Sequence, residues 1–297
     1  MKRFTRQLIL IVFTGLLVTG FTAGFTATTP TPNMASAAPL KPLVLGVFPR
    51  RGATNTMRMF QPLADYMSQQ LGRPVKLVTA RDFPAFWDGV VNQRYDIVHY
   101  NQLHYIESHK EYGYQVILAN EEFGVKTICG VIMVRTDEGI DQLSDLKGKR
   151  IIFGGGRKAM ISYVATTAML RDAGLRDGDY QELFAKNPPN ASLAAYHRQS
   201  DAAGVGSPVL KMPSIKAAID TSKIKFLAES KPLVHLPWAV NKRLGKEMAR
   251  KVTRAMLDLN NTEQGHKILT SAKLTGLYPV TDKDFNPHRR LIEKITR

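Results

Sequence analysis

Apolar positions fall in two alternating rhythms along this chain. Leu43-Val-Leu-Gly-Val-Phe48 is a short apolar run between Pro42 and Pro49, the pattern of a buried strand. Behind it Phe60, Leu63, Ala64, Met67 and Leu71 recur at helical spacing, and Gly72 marks the helix end. Val75–Val78 predicts a further strand, Phe86–Val91 a helix, and Tyr95-Asp-Ile-Val98 a strand again. A second unit repeats the order. Ile128–Arg135 reads as a strand, Asp145-Leu-Lys-Gly-Lys-Arg150 as a basic turn and Ile151-Ile-Phe153 as a strand, and the helix over Met160–Ala173 closes at Gly174. Leu244, Met248, Val252, Ala255 and Leu259 mark a long helix whose other face carries Arg243, Lys246, Arg250 and Arg254 as a solvated stripe. Strands and helices in alternation predict an α/β layer fold with a mostly parallel sheet.

One segment breaks the rhythm. Met1-Lys-Arg-Phe-Thr-Arg6 is followed by an apolar run from Leu8 to Phe25 and by small residues ending Ala35-Ser36-Ala37. A basic start, a hydrophobic core and an A-x-A site read as a secretory signal peptide over residues 1–37, which places the folded part outside the cytoplasm. The competing reading is an uncleaved anchor, since the apolar run approaches the length that spans a bilayer. No Cys follows the run, which disfavours a lipid anchor.

Composition narrows the classes. With 41 Lys and Arg against 25 Asp and Glu the chain is strongly basic, at +16, a field that favours anionic ligands or surfaces. Nucleic acid is excluded as a partner by the export signal and by the absence of zinc-finger or RRM spacing. The single cysteine, Cys129, cannot form an intrachain disulfide, so the core alone must stabilise the fold. His99, His104 and His109 stand five apart, not at the four-residue spacing of a helical metal pair, and Gly-Gly-Gly-Arg-Lys lacks P-loop spacing. Nothing in the chain carries a catalytic signature, so no enzyme, cofactor or metal is expected.

Several segments, taken in order, carry a resemblance: Leu45-Gly-Val-Phe-Pro49, Phe60-Gln-Pro-Leu-Ala-Asp-Tyr66, Leu71-Gly-Arg-Pro-Val75, Tyr95-Asp-Ile-Val98, Asp145-Leu-Lys-Gly-Lys149 and Leu227-Ala-Glu-Ser230. From Pro42 to Leu259 the chain resembles the phosphate, phosphite and phosphonate-binding branch of periplasmic solute-binding proteins that serve ABC transporters. The resemblance implies a type II binding-protein fold, with two α/β lobes joined by two hinge strands and closing on a small solute. Lobe 1 is expected over 38–130 and 234–297 and lobe 2 over 131–233, with Val131–Arg135 and His235–Val240 as the crossings. The implied role is capture of a small oxyanion or oxyacid by a monomer and its delivery to a membrane permease.

The same resemblance directs attention to the loops that hold the anion. At the end of the strand Tyr95–Val98 the family places an aromatic and Gly-Pro; here Tyr100 supplies the aromatic, and Asn101 and Gln102 replace the pair. In lobe 2, Phe153-Gly-Gly-Gly156-Arg-Lys158 enters a helix containing Ser162 and Tyr163, so Gly155, Gly156, Arg157, Lys158 and Ser162 form a candidate anion cradle at a helix start. Ser207 closes the candidate set. Two departures stand out: Ala159-Met-Ile161 occupies the place of a Ser-Thr-Ser triplet, and Gly206 that of an acidic residue. Cys129, in Thr127-Ile-Cys-Gly130, is expected near the cleft floor, where a thiol would suit a thiophilic solute. On that alternative the protein is a sensor, for example of arsenite, acting on a membrane histidine kinase.

Overall fold

The computed structural model describes residues 40–296 apart from Arg51, so the expected signal segment lies outside the described residues. The chain opens with β1 (Leu43–Val47), α1 (Ala53–Leu71), β2 (Val75–Val78), α2 (Phe83–Val91), β3 (Ile97–His99), α3 (Gln102–Tyr112) and β4 (Tyr114–Glu121). Gly72 ends α1 in the left-handed conformation (φ 56°), and its N–H meets the carbonyls of the last turn, as a glycine cap should. The Asp82 carboxylate caps α2 by accepting from Ala85 N at 2.8 Å, with Pro84 in the first turn.

A short β5 (Thr127–Ile128) leads into the second lobe, built from β6 (Gly130–Arg135), β7 (Arg150–Gly154), α4 (Thr166–Asp172), β8 (Gln181–Ala185), α5 (Pro188–Tyr196), β9 (Ala202–Gly206), α6 (Pro213–Lys216) and β10 (Ile224–Glu229). One π-helical turn, Met160–Ala165, precedes α4. The chain returns through β11 (Leu233–Val234) to β12 (Pro237–Asn241), α7 (Lys246–Asp258), α8 (Glu263–Ser271), β13 (Gly276–Pro279) and α9 (Asn286–Thr296).

Among the described residues the strands form two main sheets. Lobe 1 has the order β13-β4-β12-β3-β1-β2 and lobe 2 the order β10-β6-β9-β7-β8. Each sheet is parallel where the βαβ units lie and antiparallel where the chain has crossed and come back. Each carries a hydrophobic core on both faces: α1, α7 and α8 cover one side of the first sheet and α2 and α3 the other. In lobe 2, α4 covers one face of the sheet and α5 and α6 the other.

The hinge differs from the sequence expectation. Val131–Arg135 lies inside the lobe 2 sheet and Pro237–Asn241 inside the lobe 1 sheet, while β5 and β11 pair antiparallel as a separate ribbon, Leu233 opposite Ile128. Long apolar runs pulled the sequence reading past the crossing into the strands that follow it. A second difference concerns α9, placed by sequence with lobe 1. Leu291, Ile292 and Ile295 pack into the lobe 2 core beside α4, and Lys294 bonds Asp172 at 2.6 Å. Lys246, Arg250 and Arg254 of α7 are exposed as expected, and Arg243, in the turn before α7, is exposed too and ion-pairs with Asp96 at 2.9 Å.

Tyr95 fixes the cleft side of lobe 1. A Cβ at Gly46 would stand 2.4 Å from its ring and a Cβ at Gly89 2.3 Å from its hydroxyl, so the two glycines form the slot that seats it. Tyr95 stacks on Phe86 at 5.1 Å, and α2 is thereby held on β1 through Phe86, Gly89 and Val90. Phe83 and Trp87, four residues apart, are left to face the cleft.

Candidate functional site

Between the lobes lies a cavity of ≈ 570 Å³. Phe48, Phe83, Pro84, Trp87, His104 and Leu236 form its lobe 1 wall. Its other wall is the glycine loop Gly154–Gly156 with Ala159, Met160, Ile161 and Pro188, and Ile128 and Gly206 line it as well. Phe48 meets Phe83 edge-on at 5.9 Å, and Trp87 stacks on His104 at 4.9 Å.

Lys158 joins the two walls. Its ammonium reaches the Glu107 carboxylate of α3 at 3.1 Å and sits 5.3 Å above the Trp87 ring, and its carbonyl accepts from Asn101 Nδ2 at 3.2 Å. The same Asn101 caps α3, accepting from His104 N at 2.8 Å.

Behind the lobe 1 wall runs a buried polar chain. Trp238 Nε1 donates to Asn120 Oδ1 at 2.7 Å, Asn120 Nδ2 donates to Glu122 Oε1 at 3.3 Å, and Arg50 donates to both Glu122 oxygens at 2.8 and 3.2 Å. Glu122 is only 3% exposed. For Arg50, burial works against the charge, but the Glu122 carboxylate outweighs it and holds the guanidinium above its ordinary pKa. This bidentate pair presents Arg50 to the cavity in a fixed orientation.

Two histidines line the cavity in the neutral form. Burial lowers His104 to about 3, with Lys158 adding to the shift, and lowers His235 to about 4 against the pull of Glu122. Leu236 N donates to His235 Nδ1 at 2.8 Å, so the neutral ring carries its proton on Nε2. That Nε2, 3.9 Å from Glu122, has no hydrogen-bond partner among the described residues, and neither has His104 Nδ1.

The structure sorts the sequence candidates. Asn101, Gly155, Gly156, Lys158 and Ser162 line the cavity, with Gly155 at φ 119°, a conformation that glycine permits. Ser162 is not a free hydroxyl: it donates to Gly154 O at 2.6 Å inside its own loop. Arg157 points away, ion-paired with Glu182 and bonded to Tyr163 Oη at 2.8 Å. Tyr100 is 0% exposed and absent from the cavity wall; its hydroxyl donates to Ser108 Oγ at 2.7 Å, because Ser108 itself donates to Tyr105 O. It packs against Tyr105 and Tyr114, which corrects its expected role as a cleft contact.

Ser207 and Cys129 sit one step behind the wall, Ser207 Oγ accepting from Cys129 N at 3.2 Å. Burial, together with Glu229, pushes the Cys129 thiol up to about 11, so the residue is a protonated thiol beside Ile128. At Gly206 a Cβ would meet Ile128 at 3.1 Å and Ile161 at 3.4 Å, so two isoleucines fill the space of the family's acid.

Sequence reasoning passed over Phe48, Phe83, Trp87, His104, His235 and the Arg50–Glu122 pair as site residues. The spacing of Phe83 and Trp87, beside the core positions Phe86 and Val90, carried a signal for two of them: four apolar residues in eight give a short helix more apolar surface than one core face uses.

Two α/β lobes, a two-stranded hinge and a cavity between them define a periplasmic binding protein of type II. Similar solved structures share this arrangement. A Xanthomonas citri protein solved with ATP bound matches at TM-score 0.74 and 15% identity, over 86% of this chain and 97% of that one. PhnD1 from Prochlorococcus marinus in complex with methylphosphonate matches at TM-score 0.73 and 16% identity, over 86% and 98%. A binding-protein component of an ABC phosphonate transporter from Pseudomonas aeruginosa matches at TM-score 0.71 and 17% identity, over 84% and 85%. The family model described as ABC transporter, phosphonate, periplasmic substrate-binding protein matches residues 45–285, and the chain belongs to this family.

Proposed function

We propose that the protein captures a small anionic solute between its lobes, in the periplasm, and delivers it to an ABC permease. The observation that carries this reading is the Lys158 clasp: a lobe 2 lysine that lines the cavity bonds Glu107 of lobe 1, a contact between the lobes of the kind that closure makes. The exposed Lys186 supplies positive charge in the cavity lining that no carboxylate of the described residues pairs. Export follows from residues 1–37, and cleavage after Ala37 is the expected processing step.

Small-angle scattering tests the capture step. Addition of a bound solute is expected to reduce the radius of gyration of the wild-type protein; a radius that stays fixed at saturation overturns the clamshell reading. Intact mass of protein recovered from the periplasm tests processing, with full-length chain in the membrane fraction as the contrary result.

A further inference from the structure

The chemistry of the cavity walls does not suit a tetrahedral dianion. A phosphonate head needs several hydroxyl and amide donors converging on its oxygens and cationic charge left uncompensated. Here the triplet position is Ala159-Met160-Ile161, the Ser162 hydroxyl is spent on Gly154 O, and Ile128 and Ile161 occupy the space beside Gly206. Arg50 is neutralised by Glu122 and Lys158 by Glu107, which leaves Lys186 as the lining cation with no ion pair among the described residues.

The same walls offer what a ring needs. Phe83 is 41% exposed, and with the partly exposed Trp87 it forms an aromatic surface on the wall that faces the backbone of Gly155 and Gly156. Glycines on one side and aromatics on the other leave a slot with little side-chain relief. Two polar atoms in this apolar lining are unpartnered among the described residues although their residues are nine-tenths or more buried: Nε2 of His235, 1% exposed, and Nδ1 of His104, 4% exposed.

Resting on the capture reading above, we propose that the solute is a small planar-ring monoanion of the aromatic carboxylate class, its ring lodged among Phe83, Trp87 and the Gly155–Gly156 backbone and its carboxylate meeting Lys186. A single negative charge matches Lys186, the lining cation with no ion pair among the described residues. The ring supplies the apolar area that the walls are built to cover.

Benzoate, phenylphosphonate, methylphosphonate and inorganic phosphate are the probes, each followed by calorimetric titration, by thermal melting and by scattering on the wild-type protein. Benzoate is expected to bind, to raise the melting temperature by linkage and to compact the protein, with phenylphosphonate weaker and the two ring-free anions inert. Trp87→Ala is expected to lower benzoate affinity roughly tenfold or more, while Trp87→Phe keeps most of it. Melting without probe reports whether either variant remains folded. If methylphosphonate or phosphate binds as tightly as benzoate and compacts the protein, the ring proposal falls and the capture reading stands. Benzoate affinity unchanged in Trp87→Ala also overturns the ring proposal. If none of the four binds and the radius never changes, both fall.

Discussion

The two walls of the cleft are built on different principles. The lobe 1 wall is side chain: aromatic rings on α2 and β1, neutral histidines, and an arginine held by a buried carboxylate that hydrogen bonds on to Trp238. The lobe 2 wall is mostly backbone and aliphatic carbon, a glycine loop with Ala159, Met160 and Ile161, and its charged side chains Lys158 and Lys186 are exposed. The lobe 1 wall therefore stores more of its titratable groups in low dielectric, where their protonation and pairing matter to stability.

Acid should expose the difference most strongly. His99 and His104 are lowered to about 3 and His235 and His288 to about 4, in every case chiefly by burial. Three of these lie in lobe 1 or beside the hinge, and the fourth, on α9, bonds the hinge carbonyl of Val234. A folded-state pKa below the ordinary 6.5 means that the unfolded chain takes up protons which the folded chain refuses, so stability is retained above pH 6.5 and falls as pH drops from there towards 4 and then 3. Each ring can contribute up to about 1.4 kcal/mol per pH unit across that window. Hydrogen exchange between pH 7 and 4.5 is expected to deprotect β3, β12 and α3 before β7 and β9. Equal loss in both lobes would erase the comparison.

Removing one partner of the buried pair comes next in size. Glu122→Ala leaves Arg50 without its bidentate acceptor and Asn120 without a carboxylate, a change expected to cost about 3 kcal/mol in denaturant unfolding. A loss below about 1 kcal/mol would show that water replaces the carboxylate and that the wall is wetter than its burial implies.

Lys158→Ala acts on the contact between the walls. Its pair with Glu107 is half exposed, so the stability change is expected to be about 0.5 kcal/mol. The conformational change is larger: the solute-free protein should scatter as a more open particle, and the solute should bind more weakly. An unaltered radius would mean that the clasp follows closure without favouring it.

Cys129→Ser is the smallest perturbation. The thiol is protonated and one residue behind the cavity wall, so solute affinity should be unchanged and the melting temperature should shift by only a few degrees. Loss of affinity for arsenite in this variant would restore the thiophile reading of the sequence.

Hydrophobic rhythm revealed the strand and helix order, because each apolar run and helical stripe in this chain faces a local core. The glycine loop was legible for a related reason, since successive glycines have few uses other than close backbone approach. Tyr100 was not: it follows a strand buried on both faces, where period-two alternation gives no side, and only its bond to Ser108 decides its direction. Arg157 and Lys158 look equivalent in sequence; Glu182 and Glu107, 25 and 51 positions away, send them to opposite places. The Arg50–Glu122 pair, 72 residues apart, has no local signature either.

The last helix carries a mechanical consequence. Two paired strands alone let one lobe both swing and twist against the other. With α9 anchored by His288 at Val234 and by Leu291 and Ile292 in the second core, the lobes gain a third point of support, off the line of the other two. The two strands set the axis of the swing and α9, packed on the hinge and on the second core, opposes twisting out of it. The aromatic and glycine surfaces described above then need no search for register when they come together.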